Sequence, residues 1–347
     1  MKAQHLLFLA FFTVFSCKPT QEAASETNTS KAQDQAVFRV AFGSCNRQEL
    51  SNPFWDDVLR LNPQVWIWGG DNIYADTSDM EVLGAMYEAQ NEVEGYAQLR
   101  ANVPVIGTWD DHDYGLNDGG EEFEMKAESQ QQFLDFMGVS KTSERRTRKG
   151  VYAAHTYETK WGTVKVLVLD TRYSRSRLQR DPNPNRRYII NDSDSATILG
   201  SEQWQWLTSE LTDSQADFNL IVTSIQFLSA EHGFEAWANF PKEVEKLNGL
   251  IASSGANGVI LLSGDRHISE FSRANINGLS YPLIDFTSSG LTHSYSNFTS
   301  EPNRRRVGEV TSSLSFGVVD LNLESKEVVF RIMGENGQVY QELKQAY

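Results

Sequence analysis

The chain has 347 residues, 40% of them hydrophobic and 11% aromatic, enough to bury a large core in one domain or two. Its formal net charge of −15 argues against a basic surface that clamps long nucleic acids. Small anionic substrates remain open to it, because bound multivalent cations reverse a local field.

In chain order, residues 1–17 read as a signal segment. Lys2 supplies the positive start, residues 6–15 an apolar run too short to span a bilayer, and Ser16 a small residue. Val14-Phe15-Ser16-Cys17 resembles a bacterial lipobox, so Cys17 is expected to carry a lipid anchor facing the periplasm or cell exterior. A plain signal peptide cut nearby is the alternative. Residues 18–35 are polar and without aromatics, which predicts a flexible tether. The remainder, 36–347, reads as one catalytic domain.

Within it, apolar runs of strand type at 37–42, 65–68, 103–106, 164–169, 220–223, 259–262 and 283–286 alternate with helical patterns. The predicted helices cover 54–61, 80–101, 128–137, 202–211 and 244–253. Residues 316–340 alternate apolar and polar around Glu324-Ser325-Lys326, a hairpin signature. The expectation is an α/β fold with a mixed sheet. Residues 173–198 and 293–313 are predicted to be long loops over the site.

Four polar blocks follow apolar runs: G-S-C-N at 43–46, G-G-D-N-I-Y-A-D at 69–76, W-D-D-H-D at 109–113 and S-G-D-R-H at 263–267. In an open α/β sheet the carboxyl ends of strands meet at one edge, so these blocks converge in space. With Cys17 in the leader, Cys45 stands alone in an exported protein, either as an inert buried thiol or as a metal ligand. Asp71 follows two glycines that let the backbone turn sharply, and its carboxylate can bridge two cations. Tyr74 is either a packed aromatic or a phenolate on a hard trivalent ion. Asp110 and Asp111 beside His112 raise one another's pKa unless cations neutralise them. His112 can protonate a leaving oxygen or hold a phosphoryl group. Asp265 and His267 fall on one face of an extended segment and can reach the same centre.

Arg172 suits a phosphate oxygen pair or a structural pair with Asp170. Asn46, Asn72, Asn117, Arg266, His232 and His293 are further candidate substrate contacts. His155 reads as structural, His5 lies in the leader, and 304–306 is a solvated loop or a substrate-facing patch.

Together these blocks resemble the PhoD-like branch of the metallophosphoesterases, whose broader family includes purple acid phosphatases and calcineurin. L-D-T-R-Y at 169–173, L-G-S-E-Q-W-Q-W-L at 199–207, E-A-W-A-N-F-P at 235–241 and T-S-S-G-L-T-H at 287–293 carry the same resemblance. It implies a four-layer αββα sandwich of two mixed β-sheets, with metals at the strand edge. Cys45 stands where the broader family opens with Asp-x-His, Asp71 at its bridging Asp, and Tyr74 at the ferric-iron Tyr of purple acid phosphatases. Asp111 replaces the Asn of its G-N-H block while His112 keeps the His. Asp265 and His267 take the positions of G-H-x-H, and Gln226 lies near another His position.

The donor set is oxygen-rich with one thiolate, which favours Fe(III) at Cys45 and Tyr74 and Ca(2+) at the carboxylates over two zinc ions. Another divalent metal is compatible. The implied activity is hydrolysis of phosphodiesters, with monoesters alongside, by a metal-bound hydroxide. Arg172, His112 and Asp110 would assist it, on a small phosphate ester or a phospholipid-type substrate. A phosphate-scavenging monoesterase, a phospholipase-type diesterase and a binding lipoprotein on the same fold are the alternatives. Nothing in the sequence names a protein partner.

Overall fold

The computed structural model describes residues 26–27, 36–184, 186–298 and 301–347. The leader, with Cys17 and the lipid anchor expected there, lies outside the described residues. So does most of the expected tether, of which Glu26–Thr27 pairs in parallel with His155 and Thr156.

Two mixed sheets carry the fold. The larger has the order Glu26–Thr27, Ala153–Thr159, Gly162–Val168, Phe218–Val222, Val259–Ser263, Leu283–Ser288, Ser269–Ala274, Arg306–Thr311. Its four central strands, Gly162–Val168 to Leu283–Ser288, run parallel. The smaller has the order Val339–Ala346, Glu327–Met333, Phe316–Asn322, Val37–Gly43, Val65–Gly69, Val105–Thr108, with its last three strands parallel.

Side chains that alternate along each strand build the layers. Phe38, Val40 and Phe42 point between the sheets, where they meet Val164, Val166, Val168, Phe286 and Phe330. Trp66 and Trp68 point the other way, onto Trp55, Tyr96 and Phe136 of the helices covering the smaller sheet. Leu167, Ile221 and Leu261 meet Trp204, Leu207 and Leu247 outside the larger sheet. The result is helix, sheet, sheet, helix. Strands buried on both faces read as continuous apolar runs, which is why the sequence marks them so clearly.

Three local expectations are corrected. The helix predicted over 80–101 breaks at Val93 (ψ 114°) into Met80–Glu92 and Glu94–Asn102. The turn brings Gly95 against Trp55, where a Cβ would lie 2.7 Å from the Trp55 Cβ. The C-terminal hairpin extends to a third strand, Val339–Ala346, paired antiparallel with Glu327–Met333. Residues 293–313 are not all loop: Arg306–Thr311 forms an edge strand, and Arg306 pairs with the buried Glu270 at 2.6 Å. Among the described residues no helix is long and apolar enough to cross a membrane.

Candidate metal centre

The parallel strands of both sheets deliver their carboxyl ends to one edge. Val37–Gly43 leads to Cys45, Val65–Gly69 to Asp71, Val105–Thr108 to Asp110 and Asp111, and Val259–Ser263 to Asp265 and His267. Cys45 (φ 59°), Asp71 (φ 51°), Asp265 (φ 69°) and His267 (φ 52°) all adopt left-handed backbone, although none is glycine. Each such residue costs about 1–3 kcal/mol and persists only where its surroundings over-determine it. Here they do. The Asn46 N–H donates to the Asp71 carbonyl at 2.8 Å, and the His267 N–H donates to Ser289 Oγ at 2.7 Å. Gly70 has to be glycine, because its φ is 100° and a Cβ would sit 2.6 Å from the Asp110 Cβ.

The side chains form overlapping clusters. Cys45, Asp71 and His267 are one group; Asp71, Asp111 and His112 a second; Asp110, Asp111 and Asp265 a third; Asp111, Asp118 and Glu235 a fourth. In each group the potential ligand atoms lie within 4.8 Å of one another. Cys45 Sγ is 3.3 Å from Asp71 Oδ2, and Tyr74 Oη is 3.1 Å from the same oxygen and 2.9 Å from His267 Nε2. Asp71 therefore joins a thiol–phenol–imidazole group to the Asp111–His112 group, which Asp111 in turn links to the all-carboxylate ones.

Without cations this arrangement is electrostatically poor. Burial raises Asp71, and the neighbouring Cys45 and Asp111 raise it further. Burial lifts Asp265 to about 7 and the Cys45 thiol to about 11. Burial also works against an ionised Asp111, yet Arg172 and His112 hold it down to about 2. Asp110 Oδ2 is buried with no hydrogen-bond partner. Carboxylates crowded in this way, one with an orphaned oxygen, together with a thiol and a phenol, fit hard cations.

A buried network supports the ligand loops. Asp113 accepts from the N–H groups of Asp71, Asn72 and Asp110 at 3.2, 3.3 and 2.6 Å, and from Tyr87 Oη at 3.2 Å. One carboxylate thus ties two ligand loops together. Asn46 and Asn72, expected as substrate contacts, belong to the same network and do not reach open space. Asn46 Nδ2 donates to the Asn72 carbonyl and to Gln90, and Asn72 Nδ2 donates to the Thr108 carbonyl.

Arg172 likewise does not face solvent. Fully buried, it is ion-paired to Asp110 and to Glu235, the latter at 2.8 Å, and Arg175 Nε lies 3.0 Å from Glu235. Its guanidinium is committed to protein carboxylates because burying it demands paired countercharge. Gln226 is also turned away from the clusters, bonded to Glu270 and Thr287. In the 304–306 run, Arg304 pairs with Glu231 at the surface.

The open side of the centre is lined by other candidates. His112 is held at Nδ1 by Asp76 at 2.8 Å, which leaves Nε2 toward Asn117 at 3.4 Å. Exposed Asn117 donates to Asp111 Oδ2 at 3.2 Å and accepts from Arg187 at 2.9 Å. His293 stacks edge-on to Tyr74 at 4.7 Å, and Arg266 and His232 line a neighbouring cleft. Sequence reasoning passed over Asp113, Asp118, Glu235, Arg175, Arg187 and Ser289. Glu235 does stand inside the E-A-W-A-N-F-P block, where a carboxylate among aromatics hints at a buried ion pair.

A model of the PhoD-like phosphatase family matches residues 40–328. The chain belongs to the PhoD-like phosphatases. Alkaline phosphatase D of Bacillus subtilis strain 168 is 23% identical over 275 residues, covering 68% of this chain and 47% of that protein. The chain thus spans about half the length of that relative. Among solved structures, PhoD aligns with a TM-score of 0.66 at 19% identity, over 89% of this chain and 68% of that one. GAP50, the anchor in the inner membrane complex of Plasmodium, aligns at 0.59 and 13% identity over 89% of each chain. A dimetal phosphatase from Danio rerio aligns at 0.52 and 14% identity, over 89% of this chain and 99% of that one. These likenesses establish the α/β fold of two mixed sheets.

Proposed function

We propose that this PhoD-like phosphatase is an exported, lipid-anchored, metal-dependent phosphoesterase that cleaves phosphodiesters, with monoesterase activity alongside. The observation that carries the reading is Asp71, shared by the Cys45–His267 group and the Asp111–His112 group at the edge where the strands end. Cys45, Asp71, Tyr74 and His267 would hold Fe(III); Asp71, Asp110, Asp111 and Asp265 would hold Ca(2+). Bound cations of this kind polarise phosphoryl oxygens and lower the pKa of water.

The chain's own groups do the rest. Asp76 orients His112 so that Nε2 faces the opening, in position to give a proton to a departing ester oxygen. Asn117 and Arg187 stand at the same opening and can grip phosphoryl oxygens not held by cations. Arg172 keeps Asp110 in place and does not touch substrate. Asp113 fixes the ligand loops from behind.

The test is a pair of initial rates, on bis-p-nitrophenyl phosphate and p-nitrophenyl phosphate, with calcium and then with EDTA. Diester turnover at least equal to monoester turnover and lost in EDTA supports the reading. Dominance of the monoester would replace it with phosphate scavenging. Absence of both in protein shown to carry iron would overturn it.

A further inference from the structure

Beside the His267 turn lies a cleft of about 590 Å³ that the proposed chemistry leaves unused. Phe234 and Tyr295 line it and are 40% and 45% exposed. Single exposed apolar residues need no explanation, but these two flank one guanidinium. Arg266 lies 4.1 Å over the Phe234 ring and 5.9 Å from the centre of Tyr295, and Glu301 fixes it at 2.7 Å.

The rings run without a break back to the candidate centre. Tyr295 is 4.8 Å from His267, His267 is 4.5 Å from His293, and His293 is 4.7 Å from Tyr74. At the far end His232 stacks 6.0 Å from Phe234, its Nε2 buried without a hydrogen-bond partner. A wall of π-faces and one guanidinium plane therefore leads outward from the place where a phosphoryl group would be held.

We infer that this cleft receives the esterified group of the substrate and selects a flat, ring-bearing group over a small alkyl one. The inference rests on the phosphoesterase reading and deepens it. Flat groups suit these walls because ring faces and guanidinium planes both stack on them. A flexible acyl chain would want continuous aliphatic walls, whereas Ser294, Ser296 and Asn297 interrupt this surface.

Phenylphosphonate and methylphosphonate test this directly, since their P–C bonds survive the enzyme and they differ only in the ring. Calorimetry on the metal-loaded full-length protein should give a Kd about fivefold lower for phenylphosphonate, the gain expected of one aromatic contact. The double variant Phe234→Leu/Tyr295→Leu should bring the two values together. Should that variant melt early, Phe234→Leu alone should still narrow the ratio. Equal Kd values in the wild type, or an unchanged ratio in folded variants, overturn the inference alone, provided bis-p-nitrophenyl phosphate is turned over. If the same loaded preparation hydrolyses neither nitrophenyl ester, the phosphoesterase reading fails and the inference fails with it.

Discussion

Arg172 decides between two physical accounts, and Arg172→Met separates them. The side chain has no exposure and is paired to Asp110 and Glu235, with Arg175 sharing Glu235. Two guanidinium charges thus face two carboxylates in a sealed space, with Asp111 adjacent. Methionine fills most of the volume but leaves one net buried negative charge. Breaking a buried pair from one side costs about 3–5 kcal/mol, a large share of the roughly 5–15 kcal/mol that holds a domain folded. Urea unfolding should show a loss of that size in chelator and a smaller one with calcium, because bound cations restore part of the missing charge. Arg172→Lys should fall between, keeping the charge but losing the planar fork. A destabilisation under about 1 kcal/mol, with only KM raised, would refute this account. It would mean the guanidinium meets the phosphoryl group.

Asp71→Ala removes the carboxylate shared by two ligand groups and should abolish both metal retention and ester turnover; full metal content and rate would sink the bridging role. Asp265→Gly should stabilise the metal-free protein by about 1 kcal/mol by relieving a left-handed residue, yet remove its stabilisation by calcium; urea titrations with and without calcium read both. His155 is depressed to about 3 by burial and by Arg145, against about 6.5 in an unfolded chain. The unfolded state then binds more protons between those values, so the contribution is complete above pH 6.5 and shrinks as pH falls toward 3. At pH 5 it is about 2 kcal/mol smaller than at pH 7.5. His155→Leu should lose correspondingly less stability than the wild type over that range; parallel losses would contradict the assignment. Cys17→Ala should move the protein from the membrane fraction to the soluble one, and unchanged fractionation would remove the lipid anchor.

Much of this architecture is legible in the chain for one reason: strands buried on both faces cannot hide. Trp66, Ile67 and Trp68 serve two different cores, so their strand reads as solidly apolar, and the Gly69-Gly70 turn then announces Asp71. What stayed illegible depends on contacts distant in sequence. Val93 sits inside an unbroken helical pattern, and only the approach of Trp55 to Gly95 explains the break. Asn72 looks like a site residue because it adjoins Asp71, but alternation of direction along the turn sends its amide into the Thr108 carbonyl. Arg172 reads as a phosphate ligand until Glu235 arrives from 63 residues away to claim it.

The left-handed ligands connect these levels. Glycine would relieve the backbone at residues 45, 71, 265 and 267, and nothing in strand packing demands Cys, Asp or His there. The neighbours that hold them in place are themselves polar and buried: Ser289 on His267, and the Asp113 carboxylate on the Asp71 and Asp110 amides. Strain at four positions on three strand ends and desolvated like charges along the same edge both oppose folding of the metal-free chain. Cations remove the second cost and leave the first. A sequence that bears both at one edge, with a second set of buried residues devoted to keeping them there, is organised around binding at that edge rather than around stability.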